Sequence, residues 1–153
     1  MLDKAHIGKT LGRITTEVEK GRLRFFAKAI GETNPIYTDE AAAKAAGYRA
    51  LPVPPSYFFC QQMLDDLDPT GWLTGLGVPL QYVLHGEQSF EYFDMAFAGD
   101  SLTFESRVTD VYDKKGGALE FLVTETTAVN QLNKVVVKMK CTTVVRNPGG
   151  GKK

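Results

Sequence analysis

The stretch VPPSYFFCQQMLDDL, residues 53–67, decides the fold of this chain. Phe59, Met63 and Leu67 recur at helical spacing over about three turns, and most of the residues between them are apolar as well. A segment that is apolar nearly all round predicts a buried helix, which we place at residues 56–67. Three prolines lie just before it and force the chain to approach the helix in an extended conformation.

Downstream of this helix, apolar and polar residues alternate, and this alternation predicts β-strands. The predicted strands are the stretch LHGEQSFEYF, a strand from Leu102 through Val108, one that begins at Leu119, and one from Val135 to Val145. Gly116-Gly117 and the run Asn130-Gln131-Leu132-Asn133 predict the turns between the last three strands. The resulting antiparallel sheet has one apolar face, which the buried helix must cover. The sequence therefore predicts an α+β fold.

The half of the chain before about residue 80 is rich in Ala, Pro and Gly, and predicts helices and loops. A first helix that ends at Gly31 is predicted by apolar positions at helical spacing, namely Val18, Phe25, Phe26, Ala29 and Ile30. The stretch DEAAAKAAG predicts a second helix, with Thr38 or Asp39 as its N-cap. The stretch DPTGWLTGLGVP carries turn signals and predicts a loop.

Length and composition indicate one globular domain, because 153 residues that are 43% hydrophobic suffice to bury a core. We place this domain at residues 1–146 and expect the Gly- and Lys-rich tail, 147–153, to be disordered. The chain has 18 basic and 18 acidic residues and no basic stripe, so we expect no nucleic-acid partner. It shows neither a secretory signal nor an apolar run of the about 18 residues that would span a membrane. We expect Cys60 and Cys141 to be reduced and buried, in a cytoplasmic protein.

A polar knot, Gly-Glu-Thr-Asn-Pro at residues 31–35, joins the first two predicted helices. The surrounding stretch FAKAIGETNPIYTDEAAAKAAGY resembles the hydratase motif of the MaoC-like (R)-specific enoyl-CoA hydratases and dehydratases, whose loop reads G-D-x-N-P-x-H. The stretches VPPSYFF, LHGEQSFEY and AGDSLTFESRVTDV are similar to the N-terminal-type, FAS1-like dehydratase module of that family. The resemblance spans about residues 8–146 and implies a hot-dog fold, an antiparallel sheet wrapped around a long central helix.

The resemblance also implies a reaction, the addition of water to a trans-2-enoyl thioester of coenzyme A or acyl carrier protein, or its reverse. In the family, the motif Asp and His exchange the protons, and a backbone N–H at the start of the central helix holds the thioester oxygen as it gains charge. The thioester is the substrate, and no cofactor is implied. His6 and His85 are the only histidines and lie too far apart in sequence to have metal-ligand spacing, so we expect no metal.

Three positions depart from the family motif. Glu32 stands where the motif has Asp, and its extra methylene displaces the carboxylate. Tyr37 stands where the motif has His, and a phenol with an ordinary pKa of about 10 is a poor base at neutral pH. Pro55 stands at the glycine that opens the central helix and has no N–H to donate. Each departure removes a different part of the family mechanism.

These departures imply the non-catalytic, substrate-shaping half of a two-chain hydratase, which lacks the Asp/His pair and forms a heterodimer with a catalytic MaoC-like subunit. An alternative is a self-sufficient homodimeric hydratase that uses Glu32 with Tyr37 or His85. A second alternative is a hot-dog acyl-CoA thioesterase or acyl-thioester binder, for which Asp65 and Asp66 lie at the polar end of the predicted helix.

The candidate site residues fall into two groups, each with a plainer structural alternative. The candidate catalytic residues are Glu32, Asn34, Tyr37 and His85. The candidate substrate contacts are Arg49, Ser56, Tyr57, Phe58, Phe59 and Trp72. Asn34 before a proline is equally explained as a turn residue, His85 as a strand residue or one at a subunit seam, and the aromatic side chains as core.

Overall fold

A single antiparallel sheet dominates the computed structural model, which describes residues 2–147. Its strands are β1 Thr10–Glu17, β2 Val83–Tyr92, β3 Ser101–Lys114, β4 Leu119–Asn130 and β5 Val135–Arg146. They are ordered β1-β3-β4-β5-β2, so β1 and β2 form the two edges. Most of the tail, for which disorder is predicted, lies outside the described residues.

Short helices and loops make up the rest of the described chain, and the helices together with the sheet confirm the α+β class. They are α1 Lys20–Ala29, α2 Glu40–Ala45, α3 Tyr57–Gln61 and α4 Gly71–Gly75, with single 3-10 turns at Lys4–His6, Pro35–Tyr37 and Leu80–Tyr82. The stretch around α4 was predicted to be a loop, and the helix there is little more than one turn long.

The two hairpin turns lie where the sequence predicts them. Gly116 and Gly117 both have positive φ, a conformation that glycine adopts without strain, and they join β3 to β4. The run from Asn130 joins β4 to β5, and Asn133 there has a φ of 58°. The stretch LHGEQSFEYF forms β2 as predicted, so the alternating pattern and the turn residues together predict four of the five described strands.

Strand β1 is a correction to the prediction that the first half of the chain is helical. It pairs antiparallel with β3, and the hydroxyls of Thr15 and Thr103 lie 2.8 Å apart across that pair. The stretch has few apolar residues and a weak alternation, so its strand conformation depends on a partner strand about 90 residues away.

Helix α1 is terminated by Gly31 as predicted, its last helical residue being Ala29, but its buried face differs from the predicted one. Leu23 and Ala27 are fully buried, one turn apart, whereas Phe25 is 75% exposed. Gly31 has a φ of 71°, and the Glu32 N–H that follows it donates to the Ala27 carbonyl. Helix α2 begins at its predicted cap, because the Asp39 carboxylate accepts N–H bonds from the first turn.

The central helix α3 is much shorter than the predicted helix over residues 56–67. It ends at Gln61, whose fully buried side-chain amide donates to Thr16 Oγ1 and to the Glu17 carbonyl, each at 2.9 Å. Asp65 accepts hydrogen bonds from Thr16 and Arg22, so the turns after α3 are also attached to β1 and α1. The predicted burial fails beyond α3, where the Leu67 side chain is fully exposed.

Two separate apolar clusters form the core. The first lies between α3 and one end of the sheet, and it includes Tyr57, Phe58, Leu102, Phe104, Val137 and Met139. The second lies at the other end and includes Leu73, Leu76, Val108, Val111, Leu122 and Val145. Both cysteines are free thiols and only half-buried, which corrects the expectation that they are buried core residues. The short α3 leaves the middle of the sheet uncovered.

Candidate functional site

A cavity of about 670 Å³ lies over the middle of the sheet, between the two core clusters. Its volume is within the range typical of small-molecule sites. Its apolar lining includes Phe59, Met63, Trp72, Leu73, Phe104 and Met139. Its polar lining includes His85, Gln88, Ser106, Thr124, Thr126, Cys141 and Thr143. An apolar chain with polar groups along it would match such walls.

The polar part of the lining comes from the strands and from the segment after α3, which contributes Gln62, Asp66, Asp68 and Thr70. Ser106 of β3 faces Thr126 of β4 in register, and their hydroxyl oxygens are 2.8 Å apart. Thr124 lies two residues before Thr126 on β4 and therefore projects from the same face of the sheet. We call Ser106, Thr124 and Thr126 the hydroxyl floor. Thr124 and Thr126 are each 6% exposed, so these hydroxyls occupy positions that a packed core would give to apolar groups.

A bulge in β2 brings His85 into the cavity wall. The register of β2 on β5 shifts between His85 and Glu87, so His85 and Gln88 both line the cavity. The His85 ring packs perpendicular to Phe59, with 5.2 Å between ring centroids, and its Nδ1 is 4.0 Å from Cys141 Sγ. Burial raises the pKa of the Cys141 thiol, so the thiol is neutral rather than a ready nucleophile.

The polar knot after α1 is held by its own side chains. The Glu32 carboxylate accepts the Asn34 N–H at 2.8 Å, and the Asn34 side-chain oxygen accepts the Ile36 N–H at 3.2 Å. Asn34 thereby caps the 3-10 turn at Pro35–Tyr37, as expected of a turn residue before proline. Both polar side chains are used to build the loop, and neither lines the cavity.

Tyr37 follows this loop and is half-buried. Burial raises the pKa of its phenol, and the nearby Glu32 carboxylate and Tyr48 raise it further. A phenol whose pKa is above its ordinary value keeps its proton at neutral pH and cannot act as a general base there. Tyr37 and Glu32 are neighbours, as the motif predicts, but this loop does not form part of the cavity wall.

The start of α3 supplies little of what an oxyanion needs. Pro55 has no N–H, and the Tyr57 N–H donates to the Pro54 carbonyl at 2.9 Å. Ser56 is exposed and makes no side-chain cap. Tyr57 and Phe58 are 2% and 3% exposed and belong to the first core cluster, so they are core residues rather than cavity lining. Burial raises the pKa of Tyr57 to about 12.

Arg49 does not line the cavity but forms an ion pair with Asp100. Its guanidinium is 2.6 Å from both oxygens of Asp100, which also accepts bonds from the Gln131 amide and the Phe97 N–H. The Arg49 guanidinium also stacks on the Phe97 ring, 4.5 Å from its centroid. Burial raises the pKa of Asp100, but the hydrogen bonds from Arg49, Gln131 and Phe97 outweigh it and hold the pKa below its ordinary value.

Only some of the predicted site residues line the cavity. Phe59, Trp72 and His85 line one cavity, whereas Glu32, Asn34, Tyr37, Arg49, Ser56, Tyr57 and Phe58 do not. Sequence reasoning missed the hydroxyl floor, Gln88 and the role of Cys141 in the wall. A signal was present, because Ser106, Thr124 and Thr126 are polar residues at strand positions whose alternation calls for apolar ones.

Residues 2–147 contain no group of three or more His, Cys, Asp or Glu side chains arranged to hold a metal ion. Within the same part of the chain, no helix has the length and apolar character required to cross a bilayer.

The chain matches the family described as FAS1-like, dehydratase domain region, over residues 5–139. It is 36% identical to a UPF0336 protein of Leifsonia xyli subsp. xyli over 135 residues, which cover 84% of this chain and 85% of the relative. It resembles one chain of the C-terminally truncated HadBC complex of Mycobacterium tuberculosis, a 3R-hydroxyacyl-ACP dehydratase. The TM-score is 0.77 at 23% identity, and the match covers 91% of this chain and 96% of that chain. It also resembles a chain of the ChsH1-ChsH2 complex of Mycobacterium tuberculosis. The TM-score there is 0.67 at 18% identity, and the match covers 92% of this chain and 98% of that chain.

MaoC-like dehydratases and (R)-hydratases share this fold as well. These structural similarities confirm the hot-dog architecture, with a central helix that is shorter than expected. Because the family match spans most of the chain, this protein belongs to the FAS1-like dehydratase domain family.

Proposed function

We propose that this protein is the non-catalytic, substrate-shaping subunit of an (R)-specific enoyl-thioester hydratase, or 3-hydroxyacyl-thioester dehydratase. One observation carries the proposal: the Glu32 carboxylate is bonded to the Asn34 N–H within its own loop, and that loop is separate from the cavity that could hold an acyl chain. The position that should supply the base therefore serves the shape of the loop.

Hydration of an enoyl thioester places the water oxygen on C3 and a proton on C2, and it develops charge on the thioester oxygen. The first two events need a base and an acid, and the third needs donors aimed at that oxygen. In this chain Tyr37 keeps its proton, Pro55 has no N–H, and the Tyr57 N–H is already bonded. We therefore propose that another chain supplies the motif Asp, the motif His and the oxyanion donor.

What this chain offers instead is the cavity. Its apolar side chains suit an acyl group, and it opens beside the segment that follows α3, where a longer helix would have filled the space. A subunit with a short central helix would accept longer or bulkier chains than one whose helix covers the sheet. This role suits the acyl-binding half of a two-chain enzyme.

We infer that the catalytic partner is a MaoC-like chain with an intact G-D-x-N-P-x-H loop, and that it adds to the β2 edge of the sheet. Leu84, Tyr92 and Phe93 are large apolar side chains on or next to β2, and each is about half exposed. An edge of ten residues leaves a row of backbone groups without a neighbouring strand. HadBC and ChsH1-ChsH2, which have this fold, are complexes of two named chains.

The test is to assay crotonyl-CoA hydration by the purified chain alone and after mixing with such a partner. We expect no hydration by the lone chain, and ordinary enzymatic turnover, on the order of 1–1,000 per second, in the mixture. Turnover at such rates by the lone chain would refute the proposal in favour of a self-sufficient hydratase. Release of free thiol from acyl-CoA without any hydration would indicate a thioesterase instead.

A further inference from the structure

The hydroxyl floor of the cavity has unused hydrogen-bonding capacity. Ser106 and Thr126 lie 2.8 Å apart, and their mutual bond uses only one of their two O–H donors. In the next row across the sheet, Thr124 faces Cys141 on β5, and Cys141 faces Gln88 on β2. The Gln88 side-chain oxygen is buried and has no hydrogen-bond partner within residues 2–147.

The position of these groups bears on what the cavity accepts. They cross the sheet between the two apolar clusters, so a chain that lies along the cavity touches apolar walls, then hydroxyls, then apolar walls again. A plain alkyl chain in this position would displace water and leave the second O–H donor of the Ser106–Thr126 pair without an acceptor, which costs free energy. An oxygen atom on the chain at that point would instead accept a hydrogen bond from that donor.

From this arrangement we propose that the cavity selects acyl chains that carry a hydroxyl or carbonyl oxygen in mid-chain, with Ser106, Thr124 and Thr126 as the residues that recognise it. This inference rests on the proposed function, because it specifies the substrate class of the same acyl cavity. It adds a specificity that neither the apolar lining nor the loop at Glu32 would produce.

The experiment is a calorimetric titration of the full chain with octadecanoic acid and with hydroxyoctadecanoic acids that carry the hydroxyl at successive mid-chain carbons. We expect at least one hydroxy acid to bind about tenfold more tightly than the plain acid. In the double variant Ser106→Ala/Thr126→Val this preference should fall below about twofold, while the affinity for the plain acid is maintained or improved. Thr126→Ser, which retains the hydroxyl, should keep the preference.

The matched control is the double variant Thr15→Val/Thr103→Val. It removes a hydroxyl pair with the same 2.8 Å separation from the exposed part of the β1–β3 pair, and neither residue lines the cavity. It should leave the preference intact. Equal affinity for plain and hydroxylated acids would overturn the inference alone, as would a preference that survives Ser106→Ala/Thr126→Val. Absence of binding by every acid would count against the acyl cavity and so against the proposed function itself.

Discussion

Gly86 of β2 packs directly against Val144 of β5. A Cβ atom at Gly86 would lie 2.7 Å from Val144 Cγ2 and 3.0 Å from the Thr142 carbonyl oxygen. The bulge that turns His85 toward the cavity occurs at this glycine, and it brings the two strands too close for any side chain. The wall of the cavity therefore depends on the absence of a side chain at this position.

Gly86→Ala should lower the free energy of unfolding by about 1–3 kcal/mol, because the added methyl group must push β5 away or undo the bulge. Urea denaturation followed by circular dichroism measures this change. Gly21→Ala is the matched control, since Gly21 lies in α1 with no atom near its Cβ position, and it should stabilise the protein by about 0.5–1 kcal/mol. A neutral Gly86→Ala variant would show that the contact is not tight in solution.

Asp100→Asn should destabilise the protein by about 2 kcal/mol at neutral pH, because the buried carboxylate accepts bonds from Arg49, Gln131 and Phe97. The pKa of Asp100 is below its ordinary value in the folded state, so the unfolded state takes up its proton first as the pH falls. The stabilisation is present above about pH 4, the ordinary range of Asp, and is lost as the pH falls through the folded pKa.

The difference in unfolding free energy between the wild type and Asp100→Asn should therefore narrow in acid. Thermal or urea unfolding from pH 7 down to pH 3 measures this trend. Lys20→Met, which removes the exposed Lys20–Glu40 pair, should change stability little at any pH. A constant difference across the pH range would show that the charge on Asp100 does not contribute.

Tyr57→Phe should leave stability unchanged or raise it slightly, because the Tyr57 hydroxyl is buried without a partner within residues 2–147. Tyr92→Phe is the matched comparison, since the Tyr92 hydroxyl donates to the Pro55 carbonyl at 3.0 Å. Its loss should cost about 0.5–1 kcal/mol in urea denaturation. The opposite order of the two effects would mean that the Tyr57 hydroxyl has a bound water or other partner.

Glu32→Gln should leave the hydration rate of the reconstituted complex within about twofold of the wild type, because the amide oxygen can still accept the Asn34 N–H. Initial rates on crotonyl-CoA are the readout. Substitution of the loop aspartate in the catalytic partner should abolish the same activity. A large loss with Glu32→Gln would restore the view that Glu32 is the base of a self-sufficient enzyme.

Met63→Trp should restrict the complex to short substrates, because Met63 lines the cavity and a larger side chain would fill part of it. We expect kcat/KM for long-chain enoyl-CoA to fall at least about tenfold, with crotonyl-CoA turnover unchanged. Leu67→Trp makes the same change four residues later, at a fully exposed side chain outside the cavity, and should affect neither substrate. Equal losses on short and long chains would contradict a substrate-shaping cavity.

Some features of the candidate site could be predicted from the sequence, and others could not. The loss of the Asp and His at positions 32 and 37 was readable directly, since the motif around Asn34-Pro35 fixes the alignment. The use of Glu32 as a loop acceptor was not readable, because it depends on the backbone path between Glu32 and Asn34. Arg49 likewise gave no sign of its partner, which lies 51 residues away.

The sequence by itself determined the class of the fold, the strands β2 to β5, the turns between the last three of them, the end of α1, and the family. These features depend on local alternation, turn residues and motif spacing, which act over a few residues. Only the tertiary structure decided that β1 is a strand, that α3 stops at Gln61, and that a cavity lies over Ser106, Thr124 and Thr126. These features arise from hydrogen bonds and packing between segments far apart in the chain, such as the bond from Gln61 to Thr16. Because such partners are distant in sequence, the local residue pattern does not predict them.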